Sequence, residues 1–206
     1  TSASKFHLNM AFACMAVAVL GFMPTYWMPV MQGSFAAPPI VHIHAALFFS
    51  WTILFVVQSW LVANRKTAMH RELGLLGISL ATAMFFSVFA AASAMINLRS
   101  AAGFEPQALS FAWIQVGGMF IFGTCFALAI RNIRTPDVHR RLMLLATISL
   151  LDAPLARVFL TLTGPAMPPG VPPPPPVEVI LIPSLLADIL LVTAMAWDWR
   201  TRGKPH

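Results

Sequence analysis

Three charged residues lie within otherwise apolar stretches of this sequence, and they are the first candidates for chemistry. Asp152 and Arg157 share one stretch, and Asp188 lies in the next. A charge at the bilayer centre costs about 2.5–3.5 kcal/mol on insertion scales, so such residues are expected to face protein and to pair. The sequence therefore predicts an intramembrane polar cluster, which is either a clamp between helices or a pathway for protons or substrate.

Helix geometry favours one pairing within this cluster. Asp152 and Arg157 point about 140° apart on a straight helix, so Asp188 is the better predicted partner of Arg157. Pro154 is expected to kink the helix, because it frees the carbonyl of Leu150. Asp152 is then left as a lone carboxyl that either fixes its helix by a hydrogen bond or handles protons.

Four histidines are candidates for haem or metal binding. His42 and His44 lie at the start of one apolar stretch, and His70 and His139 lie at the starts of two later ones. Because His70 and His139 are expected at equal depth, one haem b with two histidine ligands fits between them. The alternative is that these side chains anchor helix ends to headgroups or backbone carbonyls.

A copper site is a less favoured use of the first two histidines. Met23, Met28 and Met31 are expected at the same end of the molecule as His42 and His44, and thioether and imidazole ligands suit Cu(I). Methionine is frequent in this chain, with 12 residues, so the cluster also has a chance explanation.

One helical face of the second apolar stretch is an aromatic stripe with a polar residue at each end. Its members are His44, Phe48, Trp51, Phe55 and Gln58, which follow 3–4 spacing. The stripe predicts a ligand groove at His44, Trp51 and Gln58. A packed helix face is the alternative.

The composition makes lipid the expected solvent of the chain. Of its 206 residues, 58% are hydrophobic and 10% are charged, whereas soluble domains have roughly a quarter charged residues. The sequence predicts an all-α integral membrane bundle, a single transmembrane domain over residues 1–206. Its spans are expected at about 8–30, 42–63, 73–98, 108–130, 141–162 and 178–199, and the first is interpreted as a retained helix rather than a signal peptide.

Lysine and arginine placement predicts the orientation. One side of the six-span arrangement collects Lys5, Arg65, Lys66, Arg71, Arg131, Arg134, Arg140, Arg141, Arg200, Arg202 and Lys204, and the opposite loops hold only Arg99. Positive loops face the cytoplasm, so both termini are predicted to be cytoplasmic in a bacterial inner membrane. The basic residues form no continuous stripe, which argues against nucleic acid as a partner.

Two segments of the chain resemble each other. Asn64–Gly77 aligns with Asn132–Ala146 with one inserted residue, and each contains a His-Arg pair. Both segments enter the membrane from the same side, so spans 2–3 and 4–5 are predicted to be a parallel hairpin repeat. Chance similarity between apolar sequences is the alternative.

The order of the histidine motifs carries a wider resemblance. His42-x-His44, His70-Arg-x-Leu-Gly and His139-Arg-Arg-Leu-Met, followed by a proline-rich loop, are similar to a family of uncharacterised bacterial polytopic membrane proteins over nearly the whole chain. The resemblance implies an inner-membrane location and no particular activity. The chain is only loosely similar to cytochrome b561-type helix hairpins, which place paired histidines within neighbouring helices.

Three functions are consistent with these patterns. The first is an accessory subunit docked in the bilayer beside a larger membrane complex, because the loops are short and the proline-rich segment, expected in polyproline II conformation, suits docking. The second is a redox protein that binds haem b or quinone near the histidines. The third is a small proton-coupled carrier that uses the intramembrane charges. An enzyme is the less favoured class, because no nucleotide loop, HExxH or CxxC motif is present.

Overall fold

Long helices make up the molecule, as the composition predicts. The computed structural model describes residues 2–164, 171 and 173–202. Within these residues six helical stretches are long and apolar enough to cross a membrane, and they are numbered here as spans 1 to 6: Ala3–Met31, Pro39–Ala63, Thr67–Ala101, Glu105–Arg131, Pro136–Thr163 and Val177–Thr201. The predicted six-helix membrane bundle is confirmed. Each span is longer than predicted, because the helices continue past the apolar residues into their polar flanks.

Several spans contain more than one helical element. Span 1 consists of α1 (Ser2–Phe22), a π-helical turn (Met23–Trp27) and α2 (Met28–Met31). Spans 2, 3 and 4 are single helices, α3 (Pro39–Ala63), α4 (Thr67–Ala101) and α5 (Glu105–Arg131). Span 5 consists of α6 (Pro136–Ile148) and α7 (Asp152–Thr163), and span 6 of a 3₁₀ turn (Val177–Ile180) and α8 (Leu181–Arg202). Of the proline-rich segment predicted to form polyproline II, residues 165–170 and 172 lie outside the described residues.

The interruption of span 5 occurs where its proline predicts it. Between α6 and α7 the chain forms a turn at Ser149–Leu151. Pro154 has no N–H to donate to the carbonyl of Leu150, and the Leu151 amide bonds three residues back, to Ile148, at 2.9 Å. The helix axis is therefore broken near mid-membrane.

Span 1 touches span 5 at this break through a glycine. A Cβ atom built on Gly21 would lie 2.5 Å from Cβ of Pro154 and 2.7 Å from its carbonyl oxygen. No side chain fits in that distance. Glycine at position 21 therefore permits the close approach of the α1 and α7 backbones.

The helices are arranged in a ring with one helix outside it. Each of spans 1 to 5 packs against the next, span 5 closes the ring against span 1, and span 6 lies outside against span 5. Trp51 is central: its ring is 2% exposed, meets Phe122 of span 4 edge to face at 5.0 Å, and donates its N–H to Thr147 Oγ1 of span 5 at 3.3 Å. Spans 2, 4 and 5 therefore share one core.

The two ends of the bundle differ in composition. One end carries most of the basic residues and is called the basic end. It contains the start of α1, the α3–α4 and α5–α6 turns and the end of α8. The other end, called the proline-rich end, carries residues 32–38, 102–104, 164 and 173–176. At the basic end the two hairpin turns match: Asn64 donates its side-chain N–H to the Trp60 carbonyl and Asn132 to the Leu128 carbonyl, each at 2.8 Å.

Candidate functional site

The hairpin turns bring two of the predicted histidines together at the basic end. His70 lies in the first turn of α4 and His139 in the first turn of α6. Their ring centroids are 6.3 Å apart, and the ring planes are at 84°. Residues 69 positions apart in the chain thus become neighbours, because each follows a helical hairpin turn of the same kind.

Hydrogen bonding sets the tautomer of one of these rings. Nδ1 of His139 lies 2.9 Å from the carbonyl oxygen of Ala129. A carbonyl only accepts, so Nδ1 carries a proton, and in the neutral ring the lone pair is on Nε2. A metal-binding histidine is commonly held in this way.

The second ring is less constrained. Nδ1 of His70 is buried and has no hydrogen-bond partner of good geometry among the described residues, although the main-chain carbonyl of Gln58 lies close to the ring. The side-chain oxygen of Gln58 is also buried without a partner in that part of the chain. Beyond His70, a Cβ on Gly74 would meet no atom within 4 Å. Open space and unused polar atoms therefore flank the pair.

The other two histidines lie apart from each other at the proline-rich end. Nδ1 of His42 is 3.2 Å from the Tyr26 hydroxyl of span 1. His44 bonds instead to span 3: its Nδ1–H donates to Ser87 Oγ at 3.1 Å, because the Ser87 hydroxyl hydrogen is donated to the Met84 carbonyl. They point to different helices, as their two-residue spacing predicts.

The predicted groove and copper sites stay predictions. Trp51 is buried and its ring is part of the core, as expected for a packed helix face. His44 and Gln58 are half-buried at opposite ends of span 2. Within the described residues no group of three or more His, Cys, Asp or Glu side chains is placed to hold a metal ion.

The two intramembrane charges of span 5 point to different sides of it, and the third, Asp188, lies on span 6. Asp152 faces span 6, where it lies beside Ser184 and close enough to Asp188 for the two carboxyls to interact. Asp188 is exposed on the outer face of α8. Arg157 turns the other way, and no ion pair joins it to either aspartate in the part of the chain that is described.

One ion pair and one longer-range charge interaction were not anticipated from the sequence. Arg141 donates from Nε to Asp198 at 2.7 Å, with side chains 17% and 9% exposed, and so joins span 5 to span 6 at the basic end. Arg99 lies close enough to Arg157 for their charges to interact. The one available signal for this longer-range charge interaction was that Arg99 is the lone basic residue of the opposite loops.

Comparisons with known protein family models, with curated proteins and with solved structures find no match to this chain. The interpretation of these sites therefore depends on their own geometry.

Proposed function

We propose that this membrane protein binds haem b at its basic end and takes part in electron transfer. The observation that carries the proposal is the 6.3 Å separation of the His70 and His139 rings. Two imidazoles that bind one metal ion through nitrogen at about 2 Å each have ring centroids roughly 6 Å apart when they lie on opposite sides of it. His70 and His139 would each hold the iron through one ring nitrogen.

The chemistry of the donor set favours haem over a bare metal ion. Two histidines supply two ligands, and haem iron needs only two, because the macrocycle supplies the other four. The lone pair on Nε2 of His139 is available for such a bond. Arg71 directly follows His70, and arginine is well suited to bind the carboxylates that haem carries. Bound haem supplies one-electron redox chemistry, and the two side chains hold it in place.

An absorption spectrum tests the proposal. The protein expressed in haem-supplied cells and purified in mild detergent is expected to show a Soret band, and reduction should sharpen its visible bands. His70→Ala and His139→Ala should each remove the band without unfolding the protein. His7→Ala is the matched control: its ring lies at the same end but bonds within its own helix, to Ala3 at 2.9 Å. A chain that purifies colourless after haem supply contradicts the proposal.

A second candidate, an accessory subunit of a larger membrane complex, has one observation in its favour. Asp188 lies near the middle of span 6 and is exposed on its outer face, next to exposed Leu185 and Ile189. A carboxyl at that depth is costly against lipid. A partner helix that presents a cation or a hydrogen-bond donor would satisfy it.

Gentle solubilisation tests this second function. A membrane subunit should co-purify in fixed ratio with the native chain and be lost from Asp188→Leu. Thr124→Leu, an exposed polar residue on span 4, is the control that should keep the partner. If the native chain migrates alone, the accessory function is contradicted. The carrier function remains a prediction. Within the described residues no ion pair joins Arg157 to Asp152 or Asp188.

The basic end is proposed to face the cytoplasm of a bacterial inner membrane, following the positive-inside rule. Thiol labelling of single cysteines in intact cells tests this orientation. Glu105→Cys at the proline-rich end should react with an impermeant reagent, and Arg134→Cys at the basic end should not. The native Cys14 and Cys125 lie inside spans, so their background should be low. The reverse labelling pattern would contradict the orientation.

A further inference from the structure

We propose that a groove between spans 3 and 4 binds the ring of a quinone-class molecule. The groove has a volume of about 410 Å³ and is lined by five phenylalanines, three small residues, one methionine and two threonines. Apolar and aromatic walls with a few polar groups are typical of small-molecule sites of this size. The redox use of such a ligand rests on the haem function proposed above, whereas its binding is measurable without haem.

The shape of the groove depends on a glycine in span 4. A Cβ atom built on Gly123 would lie 3.6 Å from two atoms of the Phe85 ring, so this ring of span 3 packs directly beside the α5 backbone. Phe85 also meets Phe120 edge to face at a centroid distance of 5.5 Å, and Phe86 at 5.9 Å. The aromatic walls are therefore held in place by one another.

The groove opens toward lipid. Phe86 and Phe120 at its rim are 67% and 54% exposed, whereas Phe122 at its floor is 1% exposed. Phe122 meets the buried Trp51 ring edge to face at 5.0 Å, so the floor belongs to the core. In a bilayer the exposed rings contact hydrocarbon, because they lie well inside spans 3 and 4. A ligand of this groove therefore enters from the membrane and is itself lipid-soluble.

One threonine of the groove lacks the hydrogen bond that other exposed threonines make in this molecule. Thr82, Thr161 and Thr193 each donate to the carbonyl four residues earlier in the same helix, at 2.9, 2.7 and 2.7 Å. The Thr124 hydroxyl is exposed and makes no hydrogen bond within the described part of the chain. A hydroxyl without a partner is unfavourable in apolar surroundings. Thr124 is therefore available to donate to a ligand.

The second threonine of the groove supplies the opposite function. Because the Thr82 hydroxyl hydrogen is donated to the Ile78 carbonyl, its oxygen can only accept a further bond. A quinone carbonyl accepts from Thr124, a quinol hydroxyl donates to Thr82, and the flat ring packs against phenylalanine rings. A phospholipid acyl chain offers nothing to either hydroxyl, which makes it the poorer occupant.

The groove also lies close to the histidine pair along span 4. Phe126, which lines it, precedes Ala129 by less than one helical turn, and the Ala129 carbonyl accepts the hydrogen bond from His139. The rise between these two residues is about 5 Å along the helix axis. A lipid-soluble redox ring in the groove is thus suited to exchange electrons with a haem held by the histidines.

Calorimetric titration with a decyl-substituted benzoquinone tests the site on the full chain in an uncharged detergent, purified with and without haem supply. Thr124→Val should weaken binding about three- to tenfold, because one hydrogen bond is lost. Ala127→Leu places a larger side chain in the groove and should weaken it about tenfold or more. Thr161→Val and Ala90→Leu, at exposed positions outside the groove, are the matched controls and should bind as the native chain does.

Each outcome decides the proposal. The absence of saturable binding by the native chain overturns it, as does equal weakening in the groove variants and their controls. Displacement of the quinone by an equal concentration of phosphatidylcholine would identify an acyl-chain groove and also overturn it. Saturable binding by a chain without a Soret band supports the groove and contradicts only the haem function. Should Ala127→Leu fail to fold, Thr124→Val and Thr161→Val still give the comparison.

Discussion

The two ends of the bundle use arginine in opposite ways. At the basic end Arg141 is bonded to Asp198 at 2.7 Å across spans 5 and 6. At the proline-rich end the Arg157 guanidinium lies over the Phe22 ring and donates to the Ala153 carbonyl. Removing one partner of a buried ion pair is strongly destabilising, whereas Arg157 has no carboxylate partner to lose among the described residues. The two arginines therefore contribute to stability in different ways.

The turns at the two ends differ in a related way. Gly33 and Gly103 take left-handed backbone conformations at the proline-rich end, with φ of 67° and 85°, whereas Arg65 has φ of 60° in the α3–α4 turn of the basic end. The three turns share a bonding pattern, so glycine would fit the third as well. Arg65 therefore places a positive charge at the basic end, although its left-handed backbone conformation costs free energy.

The largest expected effect comes from replacing the two kinds of arginine. Arg141→Met should lower the free energy of unfolding by about 3–5 kcal/mol, because it leaves the Asp198 carboxylate buried without this partner. Arg157→Met should change it little or raise it, since no ion pair is lost. Denaturant unfolding in detergent measures both. Equal losses in the two variants would remove the distinction between the ends.

The glycines give the next effect. Gly21→Ala should destabilise by about 1–3 kcal/mol, because its Cβ meets the backbone of Pro154. Gly74→Ala, beside the histidine pair, meets open space and should be neutral or stabilising by up to about 1 kcal/mol. Thermal unfolding of the two variants side by side checks this, and similar melting temperatures would contradict the close contact.

A substitution in the core between the two ends is expected to change the free energy of unfolding less. Trp51→Phe keeps the ring contact with Phe122 but loses the hydrogen bond to Thr147, which should cost about 1 kcal/mol. A double-mutant cycle with Thr147→Val measures the coupling. Strict additivity of the two substitutions would mean that the bond contributes nothing.

The turn residue gives the smallest effect, and in the other direction. Arg65→Gly should raise stability by up to about 1 kcal/mol, because it relieves the left-handed conformation, offset by the greater freedom of glycine in the unfolded chain. Arg134→Gly removes the same charge from the other turn of this end without that relief. A gain shared by both variants would attribute it to charge rather than to conformation.

Individual residues differ in how far the sequence predicts them. Pro154 predicts the break in span 5, because a missing N–H acts within one helical turn. The divergence of His42 and His44 follows equally from local helix geometry. The pairing of Arg157 with Asp188 is not found, since the direction of Arg157 depends on which helices pack beside α7.

The amino-acid sequence by itself determined the helical class, the six spans and the clustering of charge at one end, because hydropathy and proline act locally along the chain. Only the tertiary structure decided which distant side chains meet. Local pattern carries no information about the rotation of one helix against another, and that rotation brings the rings of His70 and His139 together.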